Sequence, residues 1–144
     1  MGPADRAAWA RMRAALWPDE TAAAHANGID AVLGNPAMWG FIAEAADGRP
    51  IGFAELVIRP FANGCDSQPV PFVEGIWVDP RCRRQGAGAR LIAHVEAFVM
   101  ARGFGEIGSD TRLDNRPSQA AHRGWGFSET ERVVYFRKRL TASR

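Results

Sequence analysis

The fold is decided by one stretch, which reads Phe72-Val73-Glu74-Gly75-Ile76-Trp77-Val78-Asp79-Pro80-Arg81-Cys82-Arg83-Arg84-Gln85-Gly86-Ala87-Gly88. Its first half is apolar and β-branched and stops at Asp-Pro, so we predict a buried strand over Phe72–Val78. After a short basic loop, apolar residues recur at helical spacing, at Leu91, Ile92, Val95, Phe98 and Val99. The two glycines therefore stand where a loop becomes a helix.

Glycines at a helix start indicate close approach of a ligand to the backbone, because each costs about 1 kcal/mol of helix propensity relative to alanine. The alternative is an ordinary pair of turn glycines. Free N–H groups and the helix dipole make this position suited to an anion, and Arg83 and Arg84 add positive charge. We therefore expect a phosphate here.

The order of these residues points to a family. The loop resembles the Arg/Gln-x-x-Gly-x-Gly/Ala signature of the GCN5-related N-acetyltransferases, whereas a Walker lysine and the first glycine of a dinucleotide fingerprint are missing. The resemblance implies that the loop holds the pyrophosphate of acetyl-coenzyme A, through Arg83, Arg84, Gln85, Gly86, Ala87 and Gly88.

The composition is that of one globular domain over residues 1–144, with 47% hydrophobic and 24% charged residues. A net charge of +2 is too small to indicate nucleic acid as a partner. No apolar run approaches membrane-spanning length and the N-terminus lacks a signal-peptide core, so we expect no membrane association and a cytoplasmic protein.

Metal and disulfide chemistry are not expected. Cys65 and Cys82 are too far apart for a C-x-x-C motif, and the three histidines are scattered along the chain. We predict two free thiols and no metal site.

The rest of the chain predicts an ordered set of elements. Helices are expected over Asp5–Leu16 and from about Glu20 to Leu33, then a hairpin of Trp39–Ala45 and Ile51–Ile58. A long loop, Arg59–Pro71, precedes the organising strand and its helix. The remaining elements are a parallel strand over Phe104–Ser109, a short helix opening at Asn115 and closing at Gly124, a last strand over Thr130–Lys138, and a frayed tail over Thr141–Arg144.

This order is that of an α/β (α+β) fold similar to the acetyltransferase fold. The resemblance implies a mixed, mostly antiparallel sheet, splayed central parallel strands and helices on both faces. The family usually has a strand before its first helix, and here at most Met1–Ala4 remain for it.

The same resemblance assigns the cofactor contacts. The pantetheine arm is expected to pair with the backbone of Ile76, Trp77 and Val78, with the Val78 amide as oxyanion donor. Asn115 fits a helix-start contact to the cofactor. His122 occupies the place of a tyrosine that protonates the departing thiolate, and either catalysis or a structural hydrogen bond suits a histidine there.

Two carboxylates mark the acceptor side. Glu74 lies mid-strand among apolar residues, and alternation predicts that it shares a face with Ile76 and Val78. A cationic substrate explains it, and an internal salt bridge with an arginine is the alternative. Asp110 closes the neighbouring strand, where α/β folds place ligands, or it caps a turn. We expect the two carboxylates to face each other.

Five further blocks are spread along the chain, namely Leu16-Trp17-Pro18, Asn63-Gly64-Cys65-Asp66-Ser67, Glu74-Gly75-Ile76, Ser109-Asp110-Thr111 and Gly126-Phe127-Ser128-Glu129-Thr130-Glu131-Arg132-Val133. Together they resemble the chromosomal type of aminoglycoside 6′-N-acetyltransferase. The resemblance implies a homodimer and a polycation site made by Trp17, Phe61, Glu74, Asp110 and Glu131. Phe61 departs from an expected tyrosine.

The chain is thus predicted to be an enzyme that transfers acetyl from acetyl-coenzyme A to the 6′-amine of aminoglycosides by direct attack in a ternary complex. Asp110 and Glu74 are the expected proton acceptors, and no acyl-enzyme is needed. An acetyltransferase for another amine and a non-catalytic coenzyme A-binding module are the alternatives.

Overall fold

A computed structural model describes residues 1–142, so the end of the predicted tail, Ser143 and Arg144, lies outside the described residues. The helices are α1 (Arg6–Leu16), α2 (Ala22–Gly34), α3 (Ala87–Met100) and α4 (Arg116–Gly124). The strands are β1 (Met38–Glu44), β2 (Pro50–Arg59), β3 (Val70–Val78) and β4 (Gly108–Ser109). None of the helices within this part of the chain is long and apolar enough to cross a membrane.

The strands form one sheet in the order β1-β2-β3-β4, in which β3 and β4 are parallel and the other pairs antiparallel. On one face, Trp9 and Met12 of α1 and Ile29 of α2 pack around Phe53. On the other face, α3 buries Leu91, Ile92, Val95 and Val99 against β2 and β3. The predicted mixed sheet with helices on both faces is confirmed.

The first two helices follow their apolar spacing and their caps. Both begin within two residues of the predicted starts, and the Thr21 side chain accepts from the Ala24 N–H at 3.1 Å to cap α2. No strand precedes α1 in the described chain; instead the Met1 amine donates to the Gly40 carbonyl of β1 at 3.2 Å.

A β-bulge interrupts β3 at the residue that carries its carboxylate. Gly75 pairs with Glu55 and Val73 pairs with Leu56, so Glu74 is the extra residue of the bulge. Val73, Ile76 and Val78 pack in the α3 core, whereas the Glu74 side chain binds Arg59, whose guanidinium lies over Phe72. The expectation that Glu74 shares a face with Ile76 and Val78 is therefore wrong, because the bulge breaks the alternation.

The two predicted C-terminal strands are also corrected. The strand expected over Phe104–Ser109 is reduced to the two residues of β4. The Glu106 carboxylate before it accepts from the backbone N–H groups of Asp66 and Ser67 in the 60–69 loop. The last strand expected over Thr130–Lys138 does not form in the described chain. Because β4 has only two residues, residues 130–138 have almost no strand edge with which to form backbone hydrogen bonds.

Candidate active site

A cleft of about 1300 Å³ opens beside the β3–β4 edge. It brings together all five predicted acceptor-site residues, along with Ile76, Asn115 and His122. The lining does not include Trp77, Val78 or the Arg83–Gly88 loop, which lie farther along β3 and at the start of α3. The predicted site therefore has two parts, a cleft and a loop, joined by the open edge of β3.

The open edge of β3 presents backbone groups to the gap between the parallel strands. The Asp79 N–H donates to the Ile51 carbonyl at 2.7 Å, so Val78, which pairs with Gly52, takes the alternate position of the ladder. Its N–H and carbonyl then point away from β2, as do those of Ile76. In the described chain, β4 pairs with β3 only at Phe72 and Val73, which leaves this gap open.

The basic loop has a backbone shape suited to an anion. Arg84 and Gly86 both adopt positive φ angles, of 62° and 84°, immediately before the first turn of α3. Such a turn aims successive N–H groups towards one point, and the helix start adds its free N–H groups and dipole. The residues present thus fit a pyrophosphate, which the amides of Arg84 to Gly88 would hold.

The second glycine of the loop has a packing reason of its own. A Cβ on Gly88 would lie 2.7 Å from Cζ2 of Trp125, which ends α4. Gly86 is a glycine for a conformational reason, because its φ lies in the left-handed region, where other residues are strained. The side chain of Arg83 turns back to donate to the Val78 carbonyl at 2.9 Å, so it ties the loop to the end of β3.

Glu74 forms the internal salt bridge that the sequence left as an alternative. Nε and Nη2 of Arg59 donate to its two carboxylate oxygens at 2.8 Å each. The Arg59 guanidinium also stacks 3.6 Å from the centre of the Phe72 ring. The bond to Glu74, and the charges of Glu74 and Asp110, raise the pKa of Arg59.

Asp110 follows β4 and is exposed at the cleft. Its charge acts on Arg59, so both carboxylates lie within electrostatic reach of the same guanidinium. No ion pair to Asp110 forms within residues 1–142. Asp110 is therefore the carboxylate of this pair that faces solvent unpaired.

His122 links α4 to β4 through both ring nitrogens. Nδ1 lies 2.7 Å from the Ser118 carbonyl, which can only accept, so this nitrogen carries the proton. Nε2 lies 2.8 Å from Oγ of Ser109 and in the neutral ring accepts from that hydroxyl. The rings of Trp125 and Phe127 pack beside it. Its geometry is that of a structural hydrogen-bonded histidine at the cleft wall.

Asn115, the other predicted α4 contact, caps its own helix. Its side chain accepts from the Ser118 N–H at 3.2 Å while lining the cleft. A cap of this kind fixes the start of α4, and with it the direction of the His122 side chain.

Trp17 also lines the cleft and contacts the bulge. Its ring lies against Gly75, where a Cβ would come within 2.6 Å of Cζ2. The Arg13 guanidinium lies 4.7 Å from the ring centre. Arg13 in turn pairs with the buried Glu55, which also accepts from Trp9 Nε1 at 2.7 Å.

Sequence reasoning missed Arg59 and the Arg13–Glu55 pair. Glu55 carries the same signal as Glu74, a carboxylate inside an apolar strand sequence, and that signal was available in Phe53-Ala54-Glu55-Leu56-Val57. Arg59 had no comparable signal, because the end of a strand is an ordinary place for an exposed arginine.

The cysteines are free thiols in the described chain. Burial, followed by the charges of Glu106 and Asp66, raises the pKa of Cys65, which disfavours the thiolate that a nucleophile needs. Within residues 1–142, no group of three or more His, Cys, Asp or Glu side chains is placed to hold a metal ion.

Comparison with known proteins agrees with this geometry. Residues 7–127 match the model of the acetyltransferase (GNAT) family. The chain is 44% identical over 134 residues to an aminoglycoside N(6′)-acetyltransferase type 1 of Serratia marcescens, with 92% of each protein covered. It is also 44% identical over 148 residues to the enzyme of that name from Stenotrophomonas maltophilia, covering 98% of this chain and 92% of that protein.

Solved structures give the same result. AAC(6′)-Iy in complex with the bisubstrate analogue CoA-S-monomethyl-acetylneamine superposes with a TM-score of 0.91 at 42% identity, covering 97% of this chain and 95% of that one. The aminoglycoside 6′-N-acetyltransferase AAC(6′)-Ih of Acinetobacter baumannii gives a TM-score of 0.90 at 34% identity, covering 98% and 96%. The chain belongs to the acetyltransferase (GNAT) family, among the aminoglycoside N(6′)-acetyltransferases of type 1.

Proposed function

We propose that this chain, acting as a single domain over residues 1–144, transfers the acetyl group of acetyl-coenzyme A to the 6′-amine of aminoglycosides. Acetylation converts an ammonium group of the drug to a neutral amide, so the activity would confer antibiotic resistance. The observation that carries the proposal is the cleft at the open β3 edge, which Glu74, Asp110 and Glu131 line together with Ile76.

The cosubstrate side is supported by the loop and the strand edge. Acetyl-coenzyme A supplies an activated acetyl thioester. The amides of Arg84 to Gly88 would hold its pyrophosphate, and Asn115 would contact it from α4. The outward backbone groups of Ile76 and Val78 would pair with its pantetheine arm. Those of Trp77, which the resemblance also assigned to this contact, face Phe53 of β2 instead. The Val78 N–H, directed into the gap, would stabilise the negative charge that develops on the acetyl oxygen.

The acceptor side would use the carboxylates and the aromatic walls. Trp17, Phe61 and Glu131 would bind the aminoglycoside, and Asp110 with Glu74 would take the ammonium proton, directly or through water, so that the free amine attacks the thioester carbon. The departing thiolate would receive a proton from solvent, or from His122 in its doubly protonated form. In that form Nε2 would donate to the Ser109 hydroxyl 2.8 Å away as that hydroxyl gives its own proton to the thiolate.

The test is thiol release from acetyl-coenzyme A with kanamycin, run beside an analogue that has a hydroxyl group in place of the 6′-amine. We expect turnover with the amine and none with the hydroxyl analogue. Silence with both compounds, while spermidine or a peptide is acetylated, would overturn the acceptor assignment and leave the acetyltransferase standing.

We also propose a homodimer formed through the C-terminal segment Val133–Phe136. Val134, Tyr135 and Phe136 are 77%, 80% and 93% exposed, an unusual arrangement for consecutive apolar residues, and a second copy of the chain would cover them. Sedimentation should give a dimer, and Phe136→Glu should give a monomer; an unchanged dimer would contradict the assignment. The cytoplasmic location stays a prediction, to be checked by cell fractionation.

A further inference from the structure

The acceptor cleft contains as many guanidinium groups as carboxylates, which is unexpected for a site that binds a polycation. Its carboxylates are those of Glu74, Asp110, Asp114, Glu129 and Glu131. Its guanidinium groups are those of Arg59, Arg112, Arg116, Arg123 and Arg132. An entering cation therefore meets a surface whose negative charge is largely balanced in advance.

Most of these charges are paired within the chain. Arg112 pairs with Asp114 at 3.2 Å, and Arg123 and Arg132 both pair with Glu129. Their guanidinium-bearing side chains are 57% to 85% exposed, so water and salt screen these pairs.

Arg59 differs from the other arginines of the cleft. Its side chain and that of Glu74 are only 35% and 33% exposed, and the pair is bidentate. A less exposed, doubly bonded pair is held more strongly than a single solvent-exposed contact. Arg59 is thus bonded to Glu74, the acceptor-side carboxylate that β3 itself carries.

The guanidinium has a second support that does not depend on Glu74. It stacks on Phe72, and the charge of Asp110 also acts on it. If Glu74 were given another cation, Arg59 would keep its contact with the ring and its attraction to Asp110. Exchange at Glu74 therefore does not leave a buried charge without a partner.

We propose that Arg59 is a resident counter-cation of the acceptor site, and that an ammonium group of the substrate replaces it at Glu74. The inference rests on the proposed aminoglycoside acceptor. This makes Arg59 a specificity-determining residue. A substrate ammonium group competes with Arg59 for the Glu74 carboxylate, whereas a neutral hydroxyl group in place of that ammonium does not displace the Arg59 guanidinium. Acceptors with an amine at that position are therefore selected over those with a hydroxyl.

The experiment compares steady-state kinetics of the wild type and Arg59→Met, a change that keeps an apolar stem against Phe72. We expect KM for kanamycin to fall by about three- to tenfold, since one competing cation is removed from a partly buried carboxylate. Arg112→Met removes the same charge from the same cleft without touching Glu74, and we expect it to change KM by about twofold or less.

Two further variants separate exchange from a structural role. Arg59→Lys keeps the charge and should keep KM near that of the wild type. Adding Glu74→Gln to Arg59→Met should cancel the gain, because the contested carboxylate is then gone. If Arg59→Met does not fold, Arg59→Gln takes its place, with the same expected fall in KM.

An unchanged or higher KM in a folded Arg59→Met enzyme would overturn the proposal, provided that the wild type acetylates kanamycin. A wild type that is silent on kanamycin and active on spermidine would overturn the proposed function instead. The same variants measured on spermidine would then decide the role of Arg59, with a fall in KM supporting exchange and no change contradicting it.

Discussion

Two arginine–glutamate pairs lie side by side at the β3 bulge, and they differ in burial and in partners. Arg13 and Glu55 have side chains 9% and 5% exposed, and Trp9 also donates to Glu55. Arg59 and Glu74 are each about one-third exposed and face the cleft. A cation in solution cannot reach the first pair, whereas the second lines the cleft that would receive a charged substrate. The same type of ion pair thus has two roles. Arg13–Glu55 is structural, and Arg59–Glu74 can exchange its arginine for a substrate cation.

The buried pair shows what its surroundings demand of it. The Arg13 Nε atom is buried without a hydrogen-bond partner among the described residues, and Gly28 of α2 makes room for the guanidinium. A buried ion pair gives little net stability over a well-packed apolar core, but loss of one partner is costly because the other charge stays buried. The Arg59–Glu74 pair is one-third exposed, so the corresponding penalty is smaller.

The largest effect is expected from Glu55→Ala. It leaves the Arg13 guanidinium and the Trp9 N–H without their acceptor, so the free energy of unfolding should fall by about 3–5 kcal/mol. Urea denaturation measures this loss. The double variant Arg13→Met with Glu55→Gln keeps an acceptor for Trp9 and should recover most of it; a loss below about 1 kcal/mol for the single change would contradict a structural role.

The next effect joins the two pairs, because Gly75 lies opposite Glu55 and next to Glu74. In Gly75→Ala the new Cβ would lie 2.6 Å from the Trp17 ring, so the tryptophan has to move. We expect about 1–3 kcal/mol of lost stability, together with a higher KM for the aminoglycoside. Gly105→Ala, where a Cβ meets nothing within 4 Å, is the control. Equal behaviour of the two variants would show that Trp17 does not depend on this contact.

A smaller effect on stability is expected from Glu74→Gln. The pair is one-third exposed and screened by water, so it should contribute no more than about 1 kcal/mol to the free energy of unfolding. KM for the polycation should rise because the carboxylate that binds it is lost. Urea denaturation and initial rates measure the two quantities separately. A stability loss as large as that of Glu55→Ala, with KM unchanged, would make the two pairs equivalent and remove the contrast between them.

The smallest effect concerns a third pair, Arg81 with Asp79, directly after β3. Hydrogen bonds from the Arg81 side chain and backbone lower the pKa of Asp79 to about 2. The stabilisation is therefore present above the ordinary aspartate pKa of about 4 and is lost as the pH falls from there through 2. Asp79→Asn should flatten the stability profile across that acidic range in pH-dependent unfolding, and a profile as steep as that of the wild type would contradict it.

The sequence predicted the order of the four helices and of the first three strands. Helical spacing around Trp9 and Leu91, the Asp47-Gly48 turn and the loop motif each act through neighbouring residues, so they are visible in the sequence. The five predicted acceptor-site residues line one cleft, and their roles in binding stay predictions.

The errors concern features set by distant partners. The bulge at Glu74 depends on its pairing with β2, and no local pattern marks it. The Arg59–Glu74 bond joins residues 15 positions apart across that bulge. The strand expected over Thr130–Lys138 has suitable alternation, but alternation supplies no neighbouring ladder. In each case the sequence does not show which segment of backbone lies next to the residue or strand concerned.

The single extra residue of β3 also limits how the length of this chain can change. Deleting Glu74 would restore regular pairing with β2, because Val73 already pairs with Leu56 and Gly75 with Glu55. The flanking side chains would keep their faces, but the cleft would lose its carboxylate. The 60–69 loop forms no strand pairs, so the deletion of one residue there should be tolerated far better. Among related sequences, a gap is therefore expected in the loop and excluded from the strand.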